Sequence, residues 1–106
     1  VVCLESVTVH EDKAKLIGSL IKTNKEIVDI SLQQLNHYAG NMLQVINEEG
    51  ELLLIMSTQA YQSLTNAQIE ILQKHNRIIH SSLNTIESVG GGSARCMMAE
   101  VFLLKK

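Results

Sequence analysis

The residues with the clearest chemical potential lie together near the C-terminal end, in Gly90-Gly91-Gly92-Ser93-Ala94-Arg95-Cys96-Met97-Met98-Ala99-Glu100. Three consecutive glycines remove every Cβ from the bend, so its backbone can take positive φ angles and approach a ligand closely. A cysteine placed just after such a bend can have its thiolate stabilised by exposed N–H groups and by the neighbouring Arg95. Those are the requirements of a nucleophilic sulfur. The competing reading is structural, because free cysteine is among the most buried residue types and glycine runs also occur in plain loops. The residues alone leave both open.

Other chemistries find little support. The two cysteines, Cys3 and Cys96, and the four histidines show neither CxxC nor HxxxH spacing, so no metal site is expected. The glycine run fails the dinucleotide fingerprint at Ala94-Arg95 and has no P-loop lysine after it, and no cofactor is expected. Met42, Met56, Met97 and Met98 read as core fillers. Glu100 reads as a pocket carboxylate or, more commonly, as a charge breaking a strand. A bridge between Cys3 and Cys96 is conceivable, but two isolated cysteines make no disulfide framework, and a reduced cytoplasmic setting is expected.

The elements that must position this segment alternate in type. Val1 to Val9 alternates as a strand, Lys13 to Lys22 carries Leu16, Ile17, Leu20 and Ile21 on one helical face, and Asn24 suits a left-handed stop. Glu26 to Ile30 reads as a short strand. Ser31-x-x-Gln34 is a capping box with Ile30 and Leu35 at the staple positions, opening a helix to Tyr38 that stops at Gly40. Asn41 to Ile46 and Glu51 to Met56 form a hairpin around Asn47-Glu48-Glu49-Gly50. Thr65 and Gln68 repeat the capping box, with Leu64 and Ile69 as staple, and that helix ends near His75-Asn76. Arg77 to His80 reads as a strand, Ser81 to Ser88 as a polar connection, Gly90 to Gly92 as a flexible loop, and Met98 to Leu104 as a final strand. This alternation predicts an α/β layered domain spanning residues 1–106.

Composition narrows the partners. With 106 residues, 45% of them apolar, the chain is expected to be a soluble globular domain with a modest core. Nine basic and eleven acidic residues give a net charge of −2, without a basic stripe, and the three aromatics make base stacking improbable, so no nucleic acid is expected. Apolar runs such as Leu52 to Met56 and Val101 to Leu104 are too short to span a bilayer, so no membrane association is expected. The chain opens on Val1-Val2-Cys3-Leu4, already apolar, which suggests a piece of a longer protein.

The motif Gly90-Gly91-Gly92-Ser93-Ala94-Arg95-Cys96-Met97 resembles the C-terminal nucleophile motif of the arginine deiminase and dimethylarginine hydrolase superfamily, the penteins. It is most similar to the bacterial amidinotransferase branch that includes citrulline-utilisation hydrolases. Tyr38-Ala39-Gly40-Asn41-Met42-Leu43 resembles the family's Gly-Asn segment. Ser57-Thr58-Gln59-Ala60-Tyr61 and the helix after Thr65 follow in the family's order.

The resemblance implies an α/β propeller of repeated ββαβ modules, of which this chain would supply only the last ones. It implies covalent attack on a small guanidino or ureido substrate through a thiouronium-type intermediate. Cys96 would be the nucleophile, Gly90, Gly91 and Gly92 would shape its pocket, and Arg95 and Asn41 would line it. Whether the reaction is hydrolysis or amidino transfer is left open. The family's histidine base would lie N-terminal to Val1, and none of His10, His37, His75 or His80 stands in a matching motif. The resemblance therefore implies a catalytic-cysteine segment with little turnover alone. The alternative is a non-catalytic module that forms homo-oligomers or binds a partner through strand edges left uncovered.

Overall fold

The computed structural model describes residues 1–101. Its centre is a three-stranded sheet in the order β1-β2-β3, built from β1 (Leu43–Ile46), β2 (Leu52–Ser57) and β3 (Arg77–Ser81). β1 and β2 form the expected antiparallel hairpin, in register Leu43 with Ile55 through Ile46 with Leu52. The turn closes because Asn47 Oδ1 accepts from the N–H groups of Glu49 and Glu51, while Gly50 takes φ +82°. β3 lies parallel to β2, Leu53 opposite Arg77 through Ser57 opposite Ser81. A parallel neighbour requires a crossover, and α3 (Thr58–Ser63) and α4 (Asn66–His75) provide it. The order of the central elements is thus strand, strand, helix pair, strand, and the domain is mixed α/β.

Both capping boxes form. Ser31 Oγ accepts from the Gln34 N–H at 3.1 Å and the Gln34 side chain accepts from the Ser31 N–H at 3.0 Å, starting α2 (Leu32–Asn36). Thr65 and Gln68 do the same for α4. The two boxes also clasp each other. Gln34 Nε2 donates to Gln68 Oε1 at 2.8 Å, and Gln68 Nε2 donates to Gln34 Oε1 at 3.1 Å. Further donation from Gln34 to the Ser63 carbonyl and from Gln68 to the Asp29 carbonyl ties three segments together.

Helix α1 (His10–Lys22) begins with Glu11 and Asp12 in its first turn and ends with Lys22, charges that suit its dipole. It stops in a Schellman arrangement: Asn24 at φ +55° donates to the Ile21 carbonyl, and Lys25 donates to Leu20. Ile21, expected on the buried face, is exposed, and no residue of α1 is fully buried. Helix α2 ends in the same way, with Tyr38 donating to Leu35 and Ala39 to Gln34. Here the left-handed residue is Tyr38 at φ +64°, not the expected Gly40. A bulky side chain in that region is an outlier, and the hydrogen bonds around it must hold it there.

Five sequence expectations need correction. Val1 to Val9 and Glu26 to Ile30 are not full strands. They meet through a single parallel bridge, Val2 with Asp29, and residues Leu4–Ser6 form a 3-10 turn. Ser81 to Ser88 is not merely a connection, because α5 (Asn84–Gly90) starts inside it. The glycine run is not one loose loop, because Gly90 ends α5 and Gly91 at φ +66° is its left-handed cap. Residues 98–101 form no strand, and the remainder of the expected final strand lies outside the described residues. The core joins Cys3, Val28, Ile30, Ala39, Met42, Leu54, Met56, Ala60, Leu64 and Leu72, so β2 supplies its middle.

Candidate active site

Helix α6 (Ala94–Met97) is a single short turn that carries Cys96 and packs against β2. Its cap residue Ser93 has extended backbone angles, and its carbonyl accepts from the Cys96 N–H at 3.0 Å. Cys96 is exposed and unbridged, whereas Cys3 is buried and also free. The bend therefore delivers the sulfur to the surface rather than to the core, which removes the structural reading of Cys96 as a buried cysteine.

Asn41 reaches this sulfur across 55 residues of sequence. Its Nδ2 donates to Cys96 Sγ at 3.0 Å, and its Oδ1 accepts from the Arg95 backbone N–H at 3.0 Å. One amide thus holds both the sulfur and the backbone beside it, which fixes the amide's orientation as well. Asn41 sits just before β1, two residues past Ala39, whose relative exposure is 0%. The segment presenting it is anchored at its buried end.

The Cys96 thiol is held below its ordinary value, first by the hydrogen bond from Asn41, then by one from the Ser93 backbone, and last by the charge of Arg95. Limited desolvation works in the opposite direction. The sequence pointed to Arg95 and the glycine bend as the source of thiolate character. Arg95 does contribute, but the neutral amide of Asn41 contributes most.

The three glycines play different parts. A Cβ on Gly92 would stand 2.9 Å from Cys96 Cβ and 3.0 Å from Sγ, so this position must stay without a side chain for the sulfur to lie where it does. Gly91 needs its glycine for backbone reasons, since its φ is positive while nothing stands within 4 Å of an added Cβ. Gly90 is open, with only Ile86 Cγ2 at 4.0 Å.

Two buried residues support the site, Ser93 of the glycine-cysteine motif and Glu87, which the sequence did not mark. Ser93 is fully buried, and its hydroxyl donates to Glu87 Oε1 at 2.6 Å. Glu87, on α5, is only 5% exposed, and its Oε2 is buried without a hydrogen-bond partner among the described residues. The Tyr38 hydroxyl donates to the Glu87 carbonyl at 2.9 Å. Neither helix α5, read from the sequence as a polar connection, nor the burial of its glutamate was visible in the sequence.

Three of the four histidines are engaged elsewhere. His37 Nδ1 pairs with the Gln33 carbonyl, His75 Nε2 with Glu26, and His80 Nδ1 with Thr58, while the His80 ring stacks on Tyr61 at 4.3 Å. Among the described residues none is hydrogen-bonded to Cys96. Also among the described residues, no group of three or more His, Cys, Asp or Glu is placed to hold a metal ion, and no helix is long and apolar enough to cross a membrane. Arg95 lines a cavity of about 620 Å³ whose wall also includes Gly40, Met42, Gln44 and Asn76. Glu100 lines a different, smaller one with Leu43, Val45 and Ile46.

Comparison with protein families places this geometry in context. The family model described as N,N dimethylarginine dimethylhydrolase, eukaryotic, matches residues 1–103. No curated protein and no solved structure matches the chain. The match supports the superfamily that the cysteine motif resembles, through its dimethylarginine branch and not the citrulline-utilisation branch.

Proposed function

The chain belongs to the dimethylarginine dimethylhydrolase family, and from that premise we propose that it carries the nucleophilic half of a cysteine hydrolase acting on guanidino groups. The observation that carries the reading is the exposed Cys96 sulfur, held by Asn41 at 3.0 Å beside a glycine that leaves it room. The sulfur electron pair forms an S–C bond to the central guanidine carbon while a C=N pair moves onto nitrogen. Collapse of that adduct breaks a C–N bond and releases an amine, which takes up a proton. Water then adds to the thiouronium carbon, the S–C bond breaks, and a ureido product leaves with the thiolate restored. Asn41 donates to the sulfur in its anionic form, and Gly90, Gly91, Gly92 and Arg95 frame the approach to it.

The 106-residue chain alone turns over slowly on this reading. Proton transfer by a positioned acid–base group typically contributes about 10²- to 10⁴-fold, and no described histidine is bonded to the thiol. The last modules of an α/β propeller would supply such an arrangement, with the base coming from another part of it. Incubation of the chain with 2-chloroacetamidine tests the reading. We expect one stoichiometric adduct at Cys96, formed faster than with chloroacetamide and slowed by a guanidino compound. Equal rates for the two reagents and no protection would refute a guanidine-directed site. Sustained amine release from dimethylarginine by the chain alone would refute the low turnover.

A second reading rests on the hairpin surface. Ile46 and Leu52 are cross-strand partners and both are exposed, at 66% and 42%, while β1 and β3 are the edges of the sheet among the described residues. Such a surface favours self-association. Light scattering at increasing concentration should show a homo-oligomer that Ile46→Lys dissolves, whereas a monomer at all concentrations would refute this.

A further inference from the structure

The two arms of the site come from distant stretches of chain, yet both are tied to one residue. The Asn41 arm leaves α2 through Tyr38, held in the left-handed region at φ +64°, and the Tyr38 hydroxyl donates to the Glu87 carbonyl at 2.9 Å. The Cys96 arm leaves α5 through Gly91 and Gly92, and the hydroxyl of the next residue, Ser93, donates to Glu87 Oε1 at 2.6 Å. Ser93 in turn accepts from the Cys96 N–H through its carbonyl. We propose that Glu87 is a positioning residue for the nucleophile, its carbonyl registering the Asn41 arm and its buried carboxylate registering the Cys96 arm. This rests on the reading of Cys96 as the nucleophile.

Physical reasons set Glu87 apart from an ordinary core contact. A carboxylate is almost never fully buried unless it is paired, because removing it from water is costly. Here it is buried to 5% exposure with one oxygen bonded to a neutral hydroxyl and the other unpartnered among the described residues. An unsatisfied buried group in a folded protein calls for an explanation, and sites of function are where such costs persist. The Tyr38 backbone adds a second outlier on the same axis. A short, buried hydrogen bond to a carboxylate is stronger and more directional than one to a neutral acceptor, so it suits the task of locking a glycine-rich bend. Without these two tethers the loop and the Asn41 segment would keep their covalent connections but not their 3.0 Å approach.

The test is the pH dependence of Cys96 alkylation by iodoacetamide in Ser93→Ala, Tyr38→Phe, Ser93→Thr and Asn41→Ala. The slow labelling of buried Cys3 in the same sample reports whether the fold is intact. A pKa rise of half a unit or more lowers the thiolate fraction at neutral pH about threefold or more. We expect that loss in Ser93→Ala and in Tyr38→Phe, with Cys3 unchanged, and recovery in Ser93→Thr, which keeps the hydroxyl. Tyr38→Phe removes a single oxygen and preserves the test if Ser93→Ala unfolds. Unchanged Cys96 profiles in both, with a clear shift in Asn41→Ala, would overturn the positioning role while leaving the nucleophile intact. An ordinary thiol profile in the unaltered chain would instead remove the nucleophile itself, and this inference with it.

Discussion

Replacing Gly92 by alanine is the sharpest perturbation of the site, because its consequence is set by two distances. The new Cβ would lie 2.9 Å from Cys96 Cβ and 3.0 Å from Sγ. Carbon atoms in contact settle near 3.5–4.0 Å, so the cysteine side chain must retreat by roughly 0.5–1 Å. Asn41 does not follow it freely, since its Oδ1 is engaged with the Arg95 N–H. The 3.0 Å bond from Asn41 to the sulfur therefore lengthens, and the largest influence lowering the thiol pKa weakens. The sign is definite: a thiol pKa moving up toward its ordinary value leaves less thiolate at neutral pH. Iodoacetamide labelling of Cys96 at pH 7 should slow by about threefold to tenfold, the consequence of a rise of half to one unit.

Gly91→Ala is the matched control. It places alanine at φ +66° but meets nothing within 4 Å, so its effect falls on the backbone. It should cost about 1–2 kcal/mol of stability, seen as a lowered melting temperature, with the pH profile of Cys96 preserved below the transition. The reasoning would be refuted if Gly92→Ala left the Cys96 profile untouched. It would be equally refuted if Gly91→Ala shifted that profile by as much.

Other outcomes follow from the fold. Gln68→Ala removes one side of the paired capping amides, which bond Thr65, Gln34 and the Asp29 carbonyl. It should lower stability by about 1–2 kcal/mol, and the double variant with Gln34→Ala should cost less than the sum of the singles, measured by urea unfolding. Glu26 is held below the usual carboxylate value, chiefly by hydrogen bonds from His75 and Lys74. Because the folded form has the lower pKa, the associated stability is present above the unfolded value and lost as pH falls through the folded one. Glu26→Gln should therefore flatten the acid side of the stability curve below about pH 4.5, as followed by thermal melts from pH 3 to 6. Met56→Ala opens a space at the centre of the core, where Met56 is 1% exposed, and should cost about 2–5 kcal/mol by the same unfolding measurement.

What the sequence revealed depended on the range of the interaction. Ser31 with Gln34 and Thr65 with Gln68 are three residues apart, and a capping box needs nothing beyond its own turn. Asn47 to Gly50 likewise encodes its hairpin locally. A strand does not form on alternation alone, because its ladder needs a partner. Val1 to Val9 found only the single bridge at Asp29 and otherwise curled into a 3-10 turn. Helix α5 was hidden by its polar residues, Asn84, Thr85, Glu87 and Ser88, although the glycines that end it were in plain view. The cysteine and its glycine bend were legible as a candidate nucleophile motif. The identity of its strongest partner was not, since Asn41 approaches from 55 residues away and no local pattern encodes that meeting. Glu87 was least visible of all. Hydropathy assigns a glutamate to the surface, and only the hydroxyl of Ser93 and the packing around it make its burial intelligible.

The most direct measurement is the rate of alkylation of each cysteine in the unaltered chain across pH 5 to 10. The account predicts that Cys96 reacts faster than Cys3 throughout and reaches half its limiting rate clearly below the ordinary thiol value of about 8.5. A Cys96 that titrates at or above that value, or that reacts no faster than the buried Cys3, would contradict the claim that Asn41 and the Ser93 backbone hold an activated sulfur at the surface.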